Sequence, residues 1–142
     1  MVENNNMMLT NYLLEKSLNV ESLRRRVIAN NIANVDVPHF KRSEVNFESD
    51  LKRAIEDAND PVNKLPAKMN HRKHIPFYVP KNIREVQSRV NLDYNTTYRN
   101  DGNNVDIEKE IVDSSKNMMR YNGFVTMLNH NFKLLKIAMK PS

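Results

Sequence analysis

The chain contains no cysteine and no tryptophan in 142 residues. Disulfides, zinc–thiolate sites and thiol catalysis are excluded. The redox compartment is left open, because a cysteine-free chain survives anywhere. Glycine is almost missing, with Gly102 and Gly123 the two present. Two distant glycines argue against a turn-rich β fold and cannot build a glycine-rich phosphate loop. Apolar residues reach 39%, below the roughly 45–50% of globular domains (a figure that also counts glycine). Either part of the chain lacks fixed structure, or neighbours supply some of the core. No run approaches the ~20 apolar residues of a membrane span. Residues 1–10 are Asn-rich and lack the basic and then apolar segments of a cleaved secretory signal. Export, if it occurs, is expected to use another route.

Prolines and bases are present in quantity but unevenly placed. Four of the six prolines lie between Pro61 and Pro80, a stretch that therefore cannot be one helix. Lys64, Lys68, Arg72, Lys73, Lys81, Arg84 and Arg89 stand between Pro61 and Val90 against the single acid Glu85. That segment carries +6 of a net +5, and the remainder is near neutral. The chain divides into an N-terminal helix over 7–34, a post-helix stretch with a short helix over 35–60, an irregular basic middle over 61–98, and a C-terminal helix over 103–140. The whole is expected to act as one unit.

In the N-terminal arm Leu9, Leu13, Val20, Leu23 and Val27 recur at helical spacing, with Leu14, Leu18, Ile28 and Ile32 as a second line. Two apolar lines imply burial on more than one side. Pro38 pushes Val37 into an extended conformation, so the helix should stop shortly before it. A second helix is expected over 46–58, with Phe47, Leu51, Ala54, Ile55 and Ala58 on one face and Asn46 as its cap. Phe77–Val79 and Val90–Tyr98 could be short extended pieces.

The C-terminal arm gives the clearest pattern. Asn103 or Asn104 can cap a helix whose first turns hold Asp106, Glu108 and Glu110 and whose last turns hold Lys133, Lys136 and Lys140, an order that suits the helix dipole. Positions seven apart read Asn104, Ile111, Met118, Val125, Phe132 and Met139; three further on they read Ile107, Ser114, Tyr121, Leu128 and Leu135. Nine of these eleven are apolar or aromatic, a coiled-coil seam that should supercoil left-handed against a partner. Ile111, Met118, Val125, Leu128, Phe132 and Leu135 are the expected seam residues, with Leu13, Val20, Leu23 and Val27 opposite them.

Nothing else in the chain reads as chemistry. His71 and His74 flank Arg72 and Lys73, which would repel a metal cation, and no third ligand is nearby. No spacing suggests a catalytic triad. No catalytic residue, metal, cofactor or small-molecule substrate is expected. The basic middle, with Phe77 and Tyr78, could bind nucleic acid, which makes a small basic nucleic-acid-binding protein the alternative, although no known nucleic-acid fold accompanies the charge. A module for a membrane or peptidoglycan surface is a third possibility.

Two blocks carry a resemblance. Ala29-Asn30-Asn31-Ile32-Ala33-Asn34 is followed by Val35-Asp36-Val37-Pro38-His39-Phe40-Lys41, and Arg99 to Glu110 is followed by Met119-Arg120-Tyr121-Asn122. Together they resemble the terminal signatures of the flagellar rod, hook and hook-associated proteins. Val37 departs from the threonine frequent at its position. The length matches the short rod members, and the resemblance covers roughly 7–58 and 99–140. It implies that the long N- and C-terminal helices pair antiparallel as a coiled-coil-like unit; together with the short accessory helix and the irregular or partly disordered middle read from the residues, the expected fold is mainly α. It implies a structural role in the bacterial flagellar basal-body rod, assembling with other copies and sister rod proteins into the drive shaft needed for motility. Basal-body ring and export-gate-associated components would be further neighbours, and the chain would pass unfolded through the flagellar type III apparatus without signal cleavage. Asn30, Asn31, Asn34 and Pro38 should shape the turn out of the first helix.

Overall fold

The computed structural model describes residues 2–59, 70–71, 73–74, 82–94 and 99–139. In order it contains α1 (Val2–Ala33), β1 (Ser43–Asn46), α2 (Glu48–Asn59), a 3-10 turn (Ile83–Glu85), β2 (Arg89–Leu92) and α3 (Ile107–Ala138). The chain is mainly helical, and its long terminal helices pack together. No described helix is long and apolar enough to cross a membrane.

The chain forms two compact units, Met1–Val45 with Val90–Ser142, and Asn46–Arg89. In the first, α1 and α3 run antiparallel. Cross-helix hydrogen bonds pair Asn31 with Glu110, Glu21 with Asn117, and Asn11 with Asn131, so positions later on α3 meet positions earlier on α1. Each helix has 32 residues, roughly 48 Å at 1.5 Å per residue. Leu14, Val20, Ile28, Val45 and Val105 are its buried apolar residues, and Glu21, Asn31, Arg42, Asn103, Asn104, Glu110 and Asn117 are buried beside them. More polar than apolar side chains are fully buried here among the described residues, so this core depends on satisfied directional bonds as well as on apolar contact.

β1 and β2 form a two-stranded sheet. The Asp93 N–H donates to the Arg42 carbonyl at 2.8 Å, which sets the end of β2 beside the start of β1 and makes the ribbon antiparallel. In the second unit Phe47, Ala54 and Val86 are buried. Glu48 and Asp50 occupy the first turn of α2, where carboxylates meet the positive end of the helix dipole.

Several boundaries differ from the sequence reading. α1 begins at Val2 rather than at residue 7. α3 begins at Ile107, and its cap is Asp106, whose side chain accepts from the Glu108 and Lys109 amides. Asn103 and Asn104 do not cap it, because their amides are held inside the fold. Asn46 closes β1, and α2 starts two residues later. Of the expected α2 face Phe47 and Ala54 are buried, whereas Ile55 and Ala58 are exposed. Part of the expected irregular middle is regular, at Ile83–Glu85 and Arg89–Leu92. Residues 60–69, 72, 75–81 and 95–98 lie outside the described residues, and with them Phe77–Val79, the four clustered prolines and Lys140.

Candidate functional site

The two sequence blocks prove to be two halves of one polar clasp. α1 ends at Ala33, and the Asn34, Val35 and Val37 amides donate back to carbonyls three or four residues earlier. Asn34 Nδ2 donates to the Asn30 carbonyl at 2.7 Å and to Asn30 Oδ1 at 2.9 Å. The loop that follows wraps around Asn103. Its Nδ2 lies 3.0, 2.9 and 2.8 Å from the Asn34, Val35 and Val37 carbonyls, and its Oδ1 accepts from the Val105 amide at 2.7 Å. Arg99 donates to the Val35 carbonyl and pairs with Asp36 and Asp101. Lys41 reaches the Gly102 carbonyl at 2.8 Å.

One turn in this clasp demands glycine. His39 (φ 62°) and Gly102 (φ 78°) both occupy the left-handed region, and the His39 amide is tied to the Asp101 carbonyl at 3.1 Å. A Cβ on Gly102 would fall 2.8 Å from His39 Nδ1. The exposed imidazole can rotate away, so the backbone angle decides the penalty. Gly102→Ala is expected to destabilise the subunit by about 1–2 kcal/mol, read as a lowered urea midpoint. An unchanged midpoint would show that the loop adopts another course.

Deeper in, Arg42 joins the halves. Its Nε donates to Glu110 Oε1, its Nη1 to Glu44, and its Nη2 lies 3.6 Å from Asp113. Glu110 is fully buried and also accepts from Asn31 Nδ2 at 3.2 Å. Asn31 in turn makes two bonds to the Ser43 backbone at 2.9 and 3.0 Å, as a neighbouring strand would. Asn104 stands between the ribbon strands, accepting from the Arg42 amide and donating to the Asp93 carbonyl, each at 2.7 Å. Further along, Asn117 donates to the Glu21 carbonyl at 3.0 Å and to its carboxylate, which also takes Arg24 at 2.6 Å. Among the described residues no buried side-chain nitrogen or oxygen lacks a partner. That completeness is what makes a buried charge tolerable.

The face of α3 turned to α1 is therefore the line Glu110, Asn117, Phe124, Asn131, one residue earlier than the apolar line read from the sequence. Ile111, Met118, Phe132 and Met139 are 54, 58, 54 and 75% exposed. Val125, Leu128 and Leu135 are half-buried. On α1, Val20 is buried, and Leu13, Leu23 and Val27 are half-buried. Asn31 sits at the centre of the clasp, Asn30 and Asn34 at its rim, and Pro38 on the outside of the loop. Sequence reasoning missed Glu21, Arg42, Asn103, Asn104, Glu110 and Asn117 as partners. The available signal was the polar residue recurring every seven positions at 110 and 117 and again at 131. His71 and His74 are exposed, and no group of three metal-ligating side chains occurs among the described residues.

Comparison with known proteins decides the family. The chain is 41% identical to the flagellar basal body rod protein FlgB of Borrelia hermsii, over 90% of its own length and 93% of that protein's. The chain belongs to the FlgB family of flagellar basal body rod proteins. It is 38% identical to the Borreliella burgdorferi FlgB, over 87% of this chain and 90% of the relative. With Bacillus subtilis FlgB it shares 31% identity, over 89% of each. No family model matches. As a FlgB-family member the chain is a structural component of the flagellar basal-body rod and serves motility. The nucleic-acid-binding alternative has no support in these relatives.

Proposed function

We propose that the subunit builds the proximal part of the rod by packing the exposed side of α3 against helices of neighbouring copies and sister rod proteins. The supporting observation is the line Ile111, Met118, Val125, Phe132, Met139. It recurs every seven residues along α3, beside the face that holds α1, and four of its five members are more than half exposed. Apolar side chains repeating at that interval suit a second helix. Two clefts, of about 340 and 330 Å³, flank the line: one beside Arg25, Met118 and Tyr121, the other beside Met8, Tyr12 and Phe132. Leu13, Val20, Leu23 and Val27 act differently, holding α1 in place within the subunit. Leu128 and Leu135 serve both sides, and Asn30, Asn31, Asn34 and Pro38 direct the chain out of α1. The subunit has no catalytic role.

Basal-body ring and export-gate-associated components are its neighbours at the base of the rod. It arrives unfolded through the flagellar type III apparatus, without signal cleavage. A core rich in hydrogen bonds rather than apolar contact fits that route, because water replaces those bonds when the chain opens.

Met118→Asp is expected to abolish swimming in soft agar and to remove the variant from purified basal bodies. A carboxylate desolvated in a helix seam costs several kcal/mol without a partner. His130→Asp places a carboxylate at an exposed position on the far side of α3 from that line and should leave motility near normal. Motile cells with Met118→Asp incorporated at the wild-type level would sink the helix-face reading.

A further inference from the structure

The ribbon carries an open edge with a built register. Among the described residues the sheet has two strands, so the outer side of β2 adjoins no third strand among them. The Asp93 N–H, just past β2, points to the Arg42 carbonyl, just before β1. In an antiparallel ladder the direction alternates with each residue, so Leu92 and Val90 turn their N–H and C=O groups away from β1. The pairing of Asp93 with Arg42 also sets Val90 opposite Val45, and directly opposed residues share a face. Val45 is 8% exposed, whereas Val90 and Leu92 are each 50% exposed and Tyr94, next on the same side, is 69% exposed. The buried face of β1 thus continues onto β2 as an exposed apolar row, bordered by backbone groups that no third strand pairs among the described residues.

We propose that β2 receives an extended segment of a neighbouring rod subunit, added as a third strand along its outer edge. The proposal rests on the rod-assembly reading above and names a second contact for it. A helix cannot meet this edge, because backbone groups repeating every second residue require a strand. The occupant carries β-branched or aromatic side chains at alternate positions on the Val45 side, where Val90, Leu92 and Tyr94 present no charge. It is not β2 of another copy: two identical edges would pair about a two-fold axis and close on themselves, whereas a lengthening rod needs head-to-tail contacts.

The test uses the intact subunit in cells. A genetically encoded photo-crosslinker is placed at 92 and, separately, at 94, and cross-linked peptides from purified basal bodies are identified by mass spectrometry. Both positions are expected to attach to alternate residues of one segment in another basal-body protein. Attachment to β2 of a second copy, or to helical segments alone, overturns the proposal. In parallel, Leu92→Pro removes an outward donor and no ladder bond to β1, as edge strands allow. It should lower incorporation roughly tenfold or more while circular dichroism stays unchanged. Leu92→Glu, which leaves the backbone intact, should do the same by charging the apolar row. Normal incorporation of both variants, in cells where Met118→Asp is excluded from the rod, overturns the strand proposal and leaves the helix-face reading standing. Loss of both Leu92 variants alongside normal incorporation of Met118→Asp supports the strand and removes the helix face.

Discussion

Glu110→Ala is expected to lower the stability of the isolated subunit by roughly 3–5 kcal/mol, the usual cost of stripping one partner from a buried ion pair. The Glu110 carboxylate is fully buried and holds the Arg42 guanidinium on one oxygen and the Asn31 amide on the other. Alanine leaves a buried cation facing a void, with Glu44 and the more distant Asp113 as its remaining carboxylates. Domains of this size are stable by about 5–15 kcal/mol in all, so the variant should unfold at a much lower urea concentration. The double variant Glu110→Leu with Arg42→Met should recover most of the loss, because replacing both charges removes the desolvation penalty together with the bond. Urea titration followed by circular dichroism decides the matter. A single variant within about 1 kcal/mol of wild type would mean that Arg42 finds other partners and that the clasp is not held by this pair.

Asn103 should be the next most sensitive position. Its amide has two hydrogens and three carbonyls within 3.0 Å, so at least one hydrogen is shared. Asn103→Ala strands those carbonyls and the Val105 amide in a site that is fully buried, and about 2–3 kcal/mol is the expected loss. Asn103→Asp tests the assignment of the amide more sharply. It keeps an acceptor for Val105 but directs a carboxylate oxygen at the three carbonyls, so it should be at least as damaging as alanine. The expected order of urea midpoints is wild type, then Asn103→Ala, with Asn103→Asp lowest or equal. An aspartate variant as stable as wild type would contradict the hydrogen-bond geometry around this side chain. Loss of the loop's path should also reduce swimming, since a destabilised subunit is incorporated less well.

Both predictions concern side chains whose partners are distant in sequence: Asn31 and Glu110 are 79 positions apart, and Arg42 and Glu110 are 68 apart. Local pattern carries no trace of such pairs. The Asn-rich block at residues 29–34 was legible as unusual, yet asparagine at a helix end reads equally as a frayed terminus. What separates the two readings is whether an acceptor lies opposite, and for Asn31 the acceptors are Ser43 and Glu110. The same holds for Asn103 and Asn104. Cap propensity favoured either of them, but Asn103 was drawn inward by the Asn34, Val35 and Val37 carbonyls and Asn104 by the Arg42 amide and the Asp93 carbonyl, and Asp106 was left to cap α3.

The sequence by itself determined the two long helices, the break before Pro38, the short helix carrying Leu51 and Ala54, and the apolar line of α3. Each of these follows from spacing or from a backbone restriction within a few residues. It also carried the family signature, because both blocks survive as contiguous strings. Only the tertiary structure decided which face of α3 meets α1. Apolar periodicity ranks faces by their aversion to water, and by that measure the Ile111–Met118 line should have been chosen. The Glu110–Asn117–Asn131 line was chosen instead, because Arg42, Asn31, Glu21 and Asn11 stand opposite to satisfy it. A buried polar group with its partners in place costs little, and one without them costs several kcal/mol. That choice leaves the apolar line of α3 outside the subunit.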